Sequence, residues 1–110
     1  MTVEQVAIKC GFDVVCAGDG LTRDVTGVFC CDLLSWAMAR APADSAWITV
    51  MGNINAIAVA VLADTSCLVL AENAAIDQAA IAKATAQGVA VLRTERPAFE
   101  AALAIHEAIH

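Results

Sequence analysis

Four apolar runs begin near residues 25, 46, 66 and 89, so successive starts lie 21, 20 and 23 residues apart, with one helical pattern in each interval. A strand, a crossover helix and a parallel neighbouring strand need that spacing. Residues 66–70 and 89–92 are continuously apolar, as in strands covered on both faces, and Trp47-Ile48-Thr49-Val50 is rich in β-formers. A further strand is expected at 12–16. Only 13 residues separate its start from 25, and they include Gly18-Asp19-Gly20, too few for a helical crossover. That strand is therefore expected to pair antiparallel at an edge.

The helices have their own signals. Thr2 and Gln5 have capping-box spacing before a helix at 3–10, and Gly11 supplies a left-handed stop. Residues 32–40 carry Leu33, Leu34, Ala37, Met38 and Ala41 as an apolar stripe, ended by Pro42. The helix at 55–63 is apolar nearly all round and has to be covered on more than one side, by this chain or by a partner subunit. Asp77 caps a helix stopped at Gly88. Thr94 is expected to cap the last helix, with Pro97 in its first turn and Phe99, Leu103 and Ile109 as its inner stripe. The expected architecture is one α/β domain over 1–110, a three-layer, mostly parallel sheet of about five strands with helices on both faces.

Composition narrows the function. A hydrophobic content of 60% with 16% charge excludes disorder. A net charge of −6, with six scattered Lys and Arg, excludes a nucleic-acid surface. Residues 45–63 carry no charge, yet Gly52, Asn53 and Asn55 would sit at mid-bilayer, so no membrane span is expected. Residues 1–10 show no basic, then apolar, leader, and a cytoplasmic location is expected. Five cysteines without a C-x-x-C pair suit packed, reduced thiols rather than zinc or iron–sulfur ligation. Cys30-Cys31 lies just before a helix, where a thiol can be acidified.

Ligands of parallel sheets bind beyond the strand carboxyl ends, at helix amino termini that favour anions. Two loops have suitable residues. Asp24, Thr26 and Gly27 run toward the helix with Asp32 and Ser35, and Thr49, Gly52, Asn53 and Asn55 join a strand to the next helix. The same residue types are also ordinary turn and cap formers. No catalytic residue, cofactor or metal is expected. His106 and His110 share a helical face at the end of the chain, away from any nucleophile, and no G-x-x-x-x-G-K-[ST] phosphate loop is present.

The run Asp24-Val25-Thr26-Gly27, followed by Asp32-Leu33-Leu34-Ser35, resembles the DRTGG domain, which is similar to the amino-terminal domain of HPr kinase/phosphorylase. The resemblance continues through Trp47-Ile48-Thr49-Val50, Asn55, Ile57 to Ala60, Gly88 to Leu92 and Ala98-Phe99-Glu100, nearly the whole chain in order. It implies a regulatory or ligand-sensing domain without catalysis of its own, often fused to other modules and prone to self-association. Val28 replaces the usual second glycine, and Asn53 stands where a histidine is common. The expected function is a homo-oligomeric regulatory domain, as a dimer, binding a small anionic metabolite of phosphate or nucleotide type at the two loops. The alternative is a dimerisation or docking module without ligand. An enzyme ranks third.

Overall fold

The structure is a computed structural model describing residues 1–110. In chain order its elements are α1 (Val3–Cys10), β1 (Asp13–Cys16), β2 (Gly27–Cys30), α2 (Leu34–Arg40), β3 (Ser45–Thr49), α3 (Ile54–Ala63), β4 (Cys67–Leu70), α4 (Gln78–Gln87), β5 (Ala90–Arg93) and α5 (Ala98–Ile109), with a single 3-10 turn at Gly20–Thr22. One five-stranded sheet has the order β1-β5-β4-β3-β2. β2 to β5 are parallel, and β1 runs antiparallel to β5 along one edge, with a bulge between Val14 and Cys16. The spacing of the apolar runs and the short first connection both have this outcome.

The parallel strands follow one another in chain order without a reversal. Right-handed crossovers therefore lay α2, α3 and α4 on the same face. Ala37, Ala56, Ile57, Ala60, Ala80 and Ala84 from these helices pack with Trp47, Leu68, Leu70 and Val91. The other face is closed by the two terminal helices, with Val3, Val6, Ala101 and Ile105 against Ile48, Val69 and Leu92. Each central strand feeds alternate side chains into two cores, which explains why its sequence is apolar without a break.

Local chemistry explains most boundaries. At α1 the Thr2 hydroxyl accepts from Gln5 N while the Gln5 side chain accepts from Thr2 N, and Gly11 closes the helix at φ 71°. Asn53 caps α3 through Ala56 N, and Asp77 caps α4 through Ala80 N.

Three expectations are corrected. Thr94 does not cap α5: its hydroxyl accepts from Arg96 N, and Pro97 holds the cap position. Phe99 and Leu103 point to solvent, whereas Ala101 and Ile105 are buried and Ala98, Ala102, Ala108 and Ile109 pack on the core. In α2 only Ala37 is buried, with Leu34 packed beside it, and Leu33 and Met38 are exposed. In α2 the buried position goes to Ala37, where the helix packs closely on α3, and in α5 Ala101 shares the inner face with the bulky Ile105 one turn on. No helix is long and apolar enough to cross a membrane.

Candidate functional site

The candidate residues divide between the two ends of the sheet. Asp24, Thr26 and Gly27 precede or open β2 and so lie at the amino rim, where Gly27 pairs with Ser45. Asp32, Ser35, Thr49, Gly52, Asn53 and Asn55 lie at the carboxyl rim, beyond or beside the ends of β2 and β3. The four residues of β2 separate the groups by roughly 13 Å. The two loops expected to form one site are not brought together.

At the carboxyl rim, the loops after β2 and β3 are joined through Asp32. Its Oδ1 accepts from Thr49 Oγ1 at 2.8 Å and from Val50 N at 3.1 Å. Trp47 Nε1 donates to Cys31 O at 2.9 Å beneath the same junction. The Asn53 side chain is occupied as the α3 cap, whereas Ser35 and Asn55 are exposed. The amino end of α2 has no side-chain cap, since Leu33 holds that position. Gly52 serves packing: a Cβ there would overlap Ala75 O in the loop before α4, and Gly52 O accepts from Asp77 N. This rim therefore offers hydroxyl and amide groups, free helix-start N–H groups and one carboxylate that accepts donors.

The amino rim is a closed network. Thr26 N donates to Asp44 O, Asp44 N to Asp64 O, and the Ser66 hydroxyl to Asp24 O. Arg23 ties it together, bonding Asp44 at 2.8 Å, Asp64 at 3.1 Å and the Thr65 carbonyl at 3.0 Å. Burial disfavours its charge, and the two carboxylates outweigh that, so its pKa lies above the ordinary arginine value. Asp44 and Asp64 take left-handed backbone at φ 63° and 58°, which aspartate tolerates better than most residues. Arg23 was missed in the sequence. Its signal was the recurrence of Asp24, Asp44 and Asp64 at intervals of 20, the period of the strand–helix unit.

The concavities lie elsewhere. One is a shallow groove between α3 and α4 lined by Ala58, Val61, Leu62, Lys83 and Gln87, and the other is a polar hollow beside Arg23, Asp64 and Gly88. In doubly wound sheets the crevice at the carboxyl rim arises where strand order reverses and adjacent helices leave on opposite faces. Here the order from β2 to β5 never reverses, and the carboxyl rim stays open.

The cysteines are all free. Burial pushes the Cys67 thiol up to about 12. At Cys30, burial and then the nearby Asp32 charge raise the pKa, opposite to the acidification considered for the Cys30-Cys31 pair. His106 and His110 lie with ring centroids 4.3 Å apart at the end of α5.

The fold is thus a single α/β domain with a short, unreversed parallel sheet, a polar carboxyl rim and a bonded amino rim. The chain belongs to the DRTGG domain family, whose model matches residues 5–108. No curated protein matches it. Among solved structures it is similar to the CBS and DRTGG domains of the regulatory region of Clostridium perfringens pyrophosphatase, complexed with the activator diadenosine tetraphosphate. The TM-score is 0.69 at 10% identity, over 94% of this chain and 45% of that one. The chain therefore spans less than half the length of that neighbour.

Proposed function

We propose that the chain is a non-catalytic regulatory domain that senses a small anionic ligand of phosphate or nucleotide type at the carboxyl rim. The observation that carries this reading is the junction of the two strand-to-helix loops through Asp32, whose Oδ1 accepts from Thr49 Oγ1 and Val50 N, with the uncapped start of α2 and exposed Ser35 on the same rim as the start of α3 and exposed Asn55. A ligand with both hydroxyls and phosphate suits it: the free Asp32 oxygen accepts from hydroxyls, and amide N–H groups take the anion. Asp24, Thr26 and Gly27 are outside this site. Support from the comparisons is the family and the fold shared with the DRTGG-containing regulatory region, which was complexed with a dinucleotide activator. Five free cysteines favour a reducing, cytoplasmic setting.

Thermal-shift screening of the whole chain against phosphate, sugar phosphates, mononucleotides and diadenosine tetraphosphate tests it. At least one compound is expected to raise the melting temperature in a saturable way, and silence across the panel at millimolar concentration refutes it. A second reading, docking to a partner or to itself, is favoured by large apolar side chains exposed on α2 and α3.

A further inference from the structure

The loops after β2 and β3 bring hydroxyls, amides and a carboxylate to the carboxyl rim but no cation, and the last residue of β5 supplies one. Thr49, Leu70 and Arg93 pair in register across β3, β4 and β5, and Asp13 of β1 stands opposite Arg93. Leu70, and Trp47 and Val91 two residues before Thr49 and Arg93, pack into the core beneath α2, α3 and α4. Strand alternation therefore puts Thr49 and Arg93 on that same face, where α4 packs against β5 and β1.

Arg93 differs from the other three arginines. Arg23 is held by Asp44 and Asp64, the Arg40 guanidinium lies over the Trp36 ring, and Arg96 is exposed. Arg93 is partly buried, with Nε shut off from solvent and without an acceptor in the protein. Folded chains rarely leave a buried donor so. Asp13 does not relieve it, since both ion pairs of the chain belong to Arg23. The terminal nitrogens of Arg93, also unbonded, reach solvent at the rim. An oxyanion meets them first, and a small turn of the side chain then gives Nε an acceptor as well. A planar guanidinium suits phosphate in particular, because two of its N–H groups can engage two oxygens at once.

We propose that Arg93 is the phosphate-binding residue of the carboxyl rim, and that its ligand is a nucleotide long enough to reach from there to Asp32. The proposal rests on the ligand reading of that rim. Arg93 stands two strand spacings, roughly 10 Å, from Thr49, whose hydroxyl donates to Asp32 Oδ1. A nucleotide spans that distance, its sugar hydroxyls donating to the free Asp32 oxygen and its phosphates lying on Arg93. Inorganic phosphate reaches one end alone.

Side-chain NMR of the Arg93 Nε–H group in the whole chain, titrated with ADP, GDP, adenosine and inorganic phosphate, tests this. At least one nucleotide is expected to move the signal saturably and to bind at least about tenfold more tightly than phosphate, while adenosine leaves the signal in place. Arg93→Gln is expected to weaken nucleotide binding at least about tenfold, Arg93→Lys to weaken it less, and Arg96→Gln to leave it unchanged. Should Arg93→Gln fold poorly by circular dichroism, the wild-type Nε–H response decides alone. Nucleotide binding that shifts residues 32–35 and 50–55 but neither moves the Arg93 signal nor weakens in Arg93→Gln overturns the proposal and leaves the ligand reading standing. Phosphate bound at Arg93 as tightly as the nucleotides overturns the reach to Asp32. No response to any of the four overturns the proposal, and the ligand reading falls with it only if the wider thermal-shift panel is silent too.

Discussion

Asp32 is exposed, yet the geometry makes it a structural bond between two loops, and its removal has a calculable effect. In Asp32→Ala, the Thr49 hydroxyl loses its acceptor at a site 1% exposed, and Val50 N loses its own. Stranding a buried hydroxyl costs about 1–3 kcal/mol, and the bond from exposed Val50 N adds less than about 1 kcal/mol because water replaces it. The expected loss is about 2–3 kcal/mol, a drop of roughly 8–12 °C in melting temperature for a domain of this size. Urea unfolding of Asp32→Ala, Thr49→Val and the double variant measures it. Once Thr49 is valine, no hydroxyl is left to strand, so the double variant is expected to be more stable than the sum of the single losses by about 1–2 kcal/mol. Additive losses, or an Asp32→Ala effect below about 0.5 kcal/mol, would refute the claim that this carboxylate holds the rim together.

Three other outcomes follow from the same structure. Gly52→Ala is expected to lower stability by about 1–3 kcal/mol in chemical denaturation, because its Cβ meets Ala75 O in a backbone with little room to yield. Arg23→Ala is expected to cost about 1–2 kcal/mol at low salt and less at molar salt, since Asp44 and Asp64 are half or more exposed and screened. The Cys67 thiol is held neutral, with its pKa raised from 9.0 to about 12. Its contribution is constant below pH 9, where both folded and unfolded states keep the proton. As pH rises from 9 toward 12 the unfolded state ionises first, and stability falls by up to about 1.4 kcal/mol per pH unit. Unfolding free energy of wild type and Cys67→Ala across that range should show a shallower decline in the variant.

The strand layout was legible because each buried strand is an uninterrupted apolar run and each crossover helix adds a similar length of chain. Capping was legible wherever one polar side chain meets one backbone N–H, as at Thr2, Asn53 and Asp77. The inner faces of α2 and α5 were not. Bulk points to Phe99, Leu103 and Met38 as the buried residues, whereas the close packing of α2 on α3 and of α5 on the sheet buries Ala37 and Ala101, with Ile105 the one large side chain fully buried on α5. The candidate site was half legible. Asp24 to Gly27 and Asp32 to Ser35 are neighbours in sequence, but extended β2 lies between them and delivers them to opposite rims. The signature residues then serve the amino rim, where Thr26 and Asp24 bind the ends of other strand connections. What chain proximity suggested was undone by the direction of one strand.

The proposal that one rim senses a ligand while the other holds the sheet together is tested most directly by residue-resolved amide NMR during titration with the phosphate compounds. The account predicts saturable shifts concentrated at Asp32–Ser35 and Val50–Asn55, with residues 23–27, Asp44 and Asp64 unmoved. Shifts centred on Asp24, Thr26 and Gly27, or a spectrum that no compound changes at millimolar concentration, would contradict it.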